Sequence, residues 1–150
     1  MSAIKEQLLR LCYEHINQRI HTAQQAIAAA QASANEETKS SAGDKYETGR
    51  AMAQLEIEKN TVQLAESMKL KATLDQIMIS PPGVAAAWGS LVITDRASYF
   101  IAISIGPVNV DGKPYAIISP ASPIGLRLMG LKSGQFFTFN NVKYTVLEIN

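Results

Sequence analysis

The sequence predicts an α+β protein, in which a long antiparallel coiled-coil helical hairpin precedes a small antiparallel sheet with one short helix. Three observations predict it. All six prolines and seven of the nine glycines lie after residue 79, apolar residues recur at helical spacing before that point, and short β-branched and aromatic runs replace them after it. The composition assigns residues 1–79 to the hairpin, 80–84 to a linker around Ser80-Pro81-Pro82-Gly83, and 85–150 to the sheet domain.

The first helix carries Ile4, Leu8, Leu11, Ile16, Ile20, Ala23, Ile27 and Ala30 at gaps near three and four, which makes one apolar stripe. The second is expected from about Tyr46 to Met78. Its stripe is Met52, Leu55, Val62, Met68 or Leu70, Leu74 and Ile77, with Lys59 and Glu66 falling near the same positions. Two helices of about 33 residues would each be about 50 Å long, longer than a core of this size can surround. They are expected to pair with each other, and the alanines between 26 and 34 favour close approach. Residues 40–50 then hold the tip of the hairpin.

In the second half, WGSLVITD, SYFIAISI, YAIIS, QFFTF and VKYTVLEI read as strands, bounded by turn signals such as DGKP and GLKSG. Asn140-Asn141 predicts a tight hairpin turn, because asparagine tolerates positive φ. SPIGLRLMG predicts one short helix, with Ser122 as N-cap and Pro123 at its first position.

Composition narrows the function. Fourteen Lys and Arg against thirteen Asp and Glu give no electrostatic footprint of a dedicated nucleic-acid binder. No apolar run reaches the length of a membrane span, and the N-terminus lacks the zones of a signal peptide, so a cytoplasmic location is expected. The single Cys12 excludes an internal disulfide framework and a cysteine-based zinc cluster. Cys12 and His15 lie three apart on the first helix, but no oxyanion donor or orienting acid accompanies them, so nucleophilic catalysis is not expected. Phosphate-binding glycine loops and the HExxH zinc motif are absent.

What remains is the acidic pair Asp44 and Glu47 at the tip. Asp followed three residues later by Glu has the spacing of a capping box, and carboxylates in a first turn complement the helix dipole. The same two carboxylates on one face are also oxygen ligands for a hard cation. Magnesium takes six oxygens, so the pair is an incomplete site, useful where another macromolecule supplies phosphates and a first metal.

Gly43-Asp44-Lys45-Tyr46-Glu47 at the turn of a helical hairpin resembles the Gly-Asp-x-x-Glu-Asn tip of the Gre-type transcript cleavage factors, the GreA and GreB family. Ser122-Pro123-Ile124-Gly125, Leu128-Met129-Gly130-Leu131-Lys132 with Gly134, and the closing Val142 to Ile149 are similar to that family's C-terminal signature, in the same order. After the acidic pair the chain departs from the family pattern at Thr48-Gly49-Arg50. The resemblance implies an FKBP-like C-terminal domain that docks beside the secondary channel of RNA polymerase. It also implies a coiled coil that carries its tip toward the 3′ end of a backtracked RNA. Asp44 and Glu47 would help position a Mg²⁺ shared with the polymerase, together with the attacking water. Ser122, Pro123, Ile124 and Gly125 would lie at the docking surface, and charge suggests Lys39, Lys45 and Arg50 as contacts to RNA phosphate. The protein would then be a cofactor of the polymerase's own cleavage, with no activity and no bound metal alone. The other expectation is a non-catalytic polymerase-binding regulator or interaction module on the same scaffold, with the acidic pair acting only as a helix cap.

Overall fold

The computed structural model describes residues 2–38, 43–79 and 83–150, with backbone alone at 37–38, 43–46 and 78–79. Helices α1 (Ala3–Thr38) and α2 (Gly43–Ile79) are followed by β1 (Leu91–Thr94), β2 (Ser98–Ile101), β3 (Gly106–Val110), β4 (Lys113–Ile118), α3 (Pro123–Leu128), β5 (Phe136–Phe139) and β6 (Val142–Ile149). No described helix is long and apolar enough to cross a membrane. Packing divides the chain into two compact units: residues 15–71, and residues 1–14 together with 72–150.

In the helical unit, Ile16, Ala23 and Ala30 of α1 and Ala53, Asn60 and Ser67 of α2 are buried. Each set repeats at seven residues, the period of a coiled-coil seam. A shallow groove joins Gln18, Arg19, Thr22 and Ala23 of α1 to Gln63 and Ser67 of α2, and because α1 ends at Thr38 and α2 starts at Gly43, a connection too short to run back along a helix, the two helices run antiparallel. Alanine and serine make up most of this seam, which lets the backbones approach. Asn60 satisfies its amide within its own helix, donating to the carbonyl of Glu56 at 2.8 Å and to its carboxylate at 3.0 Å.

On α1 the burial follows the expected stripe. On α2 it does not: Met52, Leu55, Val62 and Met68 are all more than half exposed. Of the expected stripe only Leu74 and Ile77 are buried, and Leu70 is half-buried. Electrostatics explains the correction. Lys59 and Glu66 lie in the middle of the Met52-Leu55-Val62 face, and both are exposed. Turning that face inward would bury two charges, at several kcal/mol each. Leaving an apolar side chain outside forgoes only about 1.5–3 kcal/mol, and the seam that is chosen still half-buries Ile57 and Leu64.

The sheet has the order β3-β4-β2-β1-β6-β5. It is mixed rather than antiparallel throughout, because β2 and β4 are parallel, with Tyr99 opposite Ala116 and Ile101 opposite Ile118. The cause is β3, Gly106-Pro107-Val108-Asn109-Val110, a strand that low-propensity Gly, Pro and Asn conceal from sequence reading. Asp111 (φ 52°) and Gly112 (φ 78°) close a tight β3–β4 hairpin, and its second strand inserts beside β2. The Asn140-Asn141 hairpin forms as expected, with φ of 52° and 63°.

Both faces of the central strands are buried. On one face Val92, Tyr99, Ile101, Phe137 and Val146 pack with Leu128 of α3 and Ala86. On the other, Leu91, Phe100 and Ile117 are at most 3% exposed. The helix ends belong to this unit, and their Leu8, Leu9, Cys12, Leu74 and Ile77 are buried too. A Cβ added to Gly89 would lie 2.7 Å from the Ile77 side chain, so α2 reaches the start of the sheet.

Burial also sets the chemistry of two tyrosines. Tyr99 is pushed up to about 12 by burial and by Tyr144 beside it. Tyr13 also rises to about 12, through burial and then Asp75, whose carboxylate accepts its hydroxyl hydrogen bond. A raised phenol pKa means the neutral form is preferred on folding. Its contribution is complete below pH 10 and is lost as pH rises from 10 toward 12. Absorbance titration at 295 nm is expected to show two of the five tyrosines ionising near pH 12 in the native protein. Those two should titrate near 10 in denaturant, and the unfolding temperature should fall across the same interval.

Candidate functional site

The site residues named from the sequence fall in two places. The first is the head of α2. The helix begins at Gly43, about three residues earlier than expected, so Asp44 lies inside the first turn rather than preceding it as a cap. Asp44 and Glu47 are three residues apart, which puts them on neighbouring positions of one helix face. Glu47 and Arg50 are exposed. Lys39 and the side chains of Asp44 and Lys45 lie outside the described residues. Asp44 is the second residue of the helix and Glu47 the fifth, so the backbone position of Asp44 falls among the unpaired N–H groups that concentrate partial positive charge. Among the described residues, no group of three or more His, Cys, Asp or Glu side chains is arranged to hold a metal.

The second place is the turn from Ser119 to Gly125, whose geometry is built by four hydrogen bonds. Ser122, extended at φ −67° and ψ 157°, caps α3 by accepting from the Gly125 N–H at 3.1 Å. Its hydroxyl donates to the Ser119 carbonyl at 2.6 Å, and its own N–H donates to the same carbonyl at 3.1 Å. The Ser119 hydroxyl in turn accepts from the Ala121 N–H at 3.1 Å. Pro123 takes the first helical position, where a missing N–H costs nothing. Gly125 is required by space. A Cβ there would fall well inside contact distance of the Ser119 carbonyl oxygen, 2.7 Å from Ser122 Oγ and 3.1 Å from Pro120 Cα.

The four residues of this turn divide by exposure. Pro123 is exposed and Ser122 half-buried, whereas Ile124 packs against the core and Gly125 is buried. Beyond them, Leu126 and Met129 of the α3 segment are exposed apolar side chains. The exposed surface of this segment is therefore Pro123, Leu126 and Met129, with Ile124 and Gly125 beneath it.

Cys12 is fully buried. Burial pushes its thiol up to about 12, which removes the thiolate that nucleophilic chemistry needs.

Sequence reading passed over the β5–β6 hairpin as a surface. Lys143 Nζ sits 4.4 Å from the centroid of the exposed Phe136 ring, and Phe137 stacks on Tyr144 on the other face at 4.9 Å. The signal was present in Asn140-Asn141. A two-residue turn sets Phe139 opposite Val142, so Thr138 meets Lys143 and Phe136 lies diagonal to it.

No known family model matches the chain, and no curated protein matches it.

Proposed function

We propose that this protein is a cytoplasmic elongation factor of the Gre type, which binds RNA polymerase and stimulates its cleavage of backtracked RNA. The observation that carries the reading is the acidic pair at the head of α2, the second of two long helices that share an antiparallel seam. Within the helical unit the pair lies about 40 Å from Lys71 along the helix, at 1.5 Å per residue. A thin pair of helices with small seam residues suits entry into a narrow channel. The sheet unit, read as FKBP-like, supplies the docking surface at Pro123, Leu126 and Met129.

Two carboxylates provide at most part of the shell of a Mg²⁺ ion, and the remaining oxygens would come from the polymerase, RNA phosphate and water. Such an ion supplies charge stabilisation and an activated water for phosphodiester hydrolysis. Asp44 and Glu47 would supply ligand oxygens and orient that water. Lys39, Lys45 and Arg50 would steady the RNA backbone near the tip.

One observation favours the alternative, a polymerase-binding regulator without cleavage activity. Asp44 and Glu47 are the second and fifth residues of α2, near the end where carboxylates stabilise a helix by about 0.3–1 kcal/mol each through its dipole. Asp44→Asn and Glu47→Gln separate the two readings. In a backtracked elongation complex with cognate polymerase, either variant is expected to reduce cleavage to the level seen without the factor. Polymerase binding should be retained, and stability should fall by no more than about 1 kcal/mol. Undiminished cleavage by both variants would leave the pair a purely structural role.

A further inference from the structure

We infer that the free edge of β5 is a docking site for an extended acidic peptide segment, which would add to the sheet as a seventh strand. The sheet ends at β3 on one side and β5 on the other, and the two edges differ. In a hairpin closed by a two-residue turn, hydrogen-bonded pairs alternate with pairs whose N–H and C=O groups point away. On β3 the closing pair is Val110 with Lys113, so the outward positions are Asn109 and Pro107. Pro107 has no N–H to offer, the usual device that blunts an edge.

On β5 the closing pair is Phe139 with Val142, and Phe137 pairs with Tyr144. Val146 N–H donates to the Gln135 carbonyl at 2.8 Å, which continues the alternation. Phe136 and Thr138 therefore turn both their N–H and C=O groups outward, and both residues are exposed. Neither proline nor a charged side chain interrupts Gln135-Phe136-Phe137-Thr138-Phe139. An edge of this kind is matched by another extended backbone, whose groups have the same spacing.

Charge selects among such backbones. From Ser119 to Leu147 the chain carries Arg127, Lys132 and Lys143 and not one acidic residue. All three cations are exposed. Lys132 opens the turn before β5, Lys143 lies opposite Thr138 on the neighbouring strand, and Arg127 is on α3, which packs against β5. Phe136, 59% exposed beneath Lys143, adds an apolar contact for alternate side chains of the incoming strand. A cation and an aromatic ring also suit nucleic acid, but the outward N–H and C=O pairs favour a peptide.

The test is fluorescence anisotropy with a labelled six-residue peptide in which Glu alternates with Val, added to the full chain. Saturable binding is expected. Binding should weaken at least tenfold when alternate amides of the peptide are N-methylated, a control that leaves the protein unaltered. Thr138→Pro, which removes an outward N–H and spares the β5–β6 ladder, is expected to weaken binding at least tenfold with an unchanged circular dichroism spectrum. Lys143→Glu should weaken it at least threefold. Absence of binding, equal binding of the N-methylated peptide, or displacement by single-stranded oligouridylate and not by unlabelled peptide would overturn the proposal.

Discussion

Gly125→Ala is expected to destabilise the sheet unit by about 2–4 kcal/mol, although helix propensity alone favours alanine by about 1 kcal/mol. Gly125 lies in the first turn of α3, so a propensity argument predicts stabilisation. Space decides otherwise. The added methyl would run into the Ser119 carbonyl oxygen and Ser122 Oγ, the two atoms whose 2.6 Å hydrogen bond holds the turn. Relief requires the backbone to move, and movement breaks the cap on α3. For comparison, Gly130 has φ +85° and nothing within 4 Å of its Cβ position. Gly130→Ala is expected to cost only the 1–2 kcal/mol or so of a left-handed residue. Urea unfolding followed by the fluorescence of Trp88, the single tryptophan, reads this unit directly, since its indole N–H donates to the Ala102 carbonyl at 2.8 Å. If Gly125→Ala proves less damaging than Gly130→Ala, steric crowding is not what requires glycine in this turn.

The second large effect is Phe100→Ala, with an expected loss of about 3–5 kcal/mol. Domains of this size have a total stability of about 5–15 kcal/mol, so the variant should be close to unfolding at 37 °C. Phe100 alternates with Tyr99 and Ile101, which face the α3 side of the sheet, and yet it is 0% exposed. Its burial means that the second face of the sheet is covered as well, and the same unit contains the buried Leu8, Leu9, Cys12, Leu74 and Ile77 of the helix ends. A sheet solvated on that face would lose less than about 1 kcal/mol from the same substitution. The measured midpoint in urea, at constant slope, distinguishes the two.

Parts of this architecture were legible from short stretches of sequence. Asn140-Asn141 announced its hairpin because positive φ is a property of the residues themselves. Ser122-Pro123 announced the start of α3 because a cap and its target N–H are three residues apart. The stripe on α1 was legible because the same face packs along most of the helix. The α2 stripe was misleading. Lys59 and Glu66 share a face with Met52, Leu55 and Val62, and only the partner helix reveals that Ala53, Asn60 and Ser67 form the better seam. The candidate site was legible as a spacing, Asp44 to Glu47, but the start of α2 at Gly43 moved Asp44 from the cap into the first turn.

Local sequence was enough to set where helices give way to strands, which turns close the hairpins, and which carboxylates stand near the junction of the two long helices. Those features depend on backbone propensities and on bonds spanning two to four residues. Long-range packing settled which side of α2 is buried, that β4 inserts in parallel beside β2, and that the helix ends join the sheet unit. Each of these compares the burial of one surface with that of another far away in the chain. A peptide's own residues cannot encode that comparison, because the cost of burying Lys59 or the reward for burying Phe100 exists only once the opposite surface is in place.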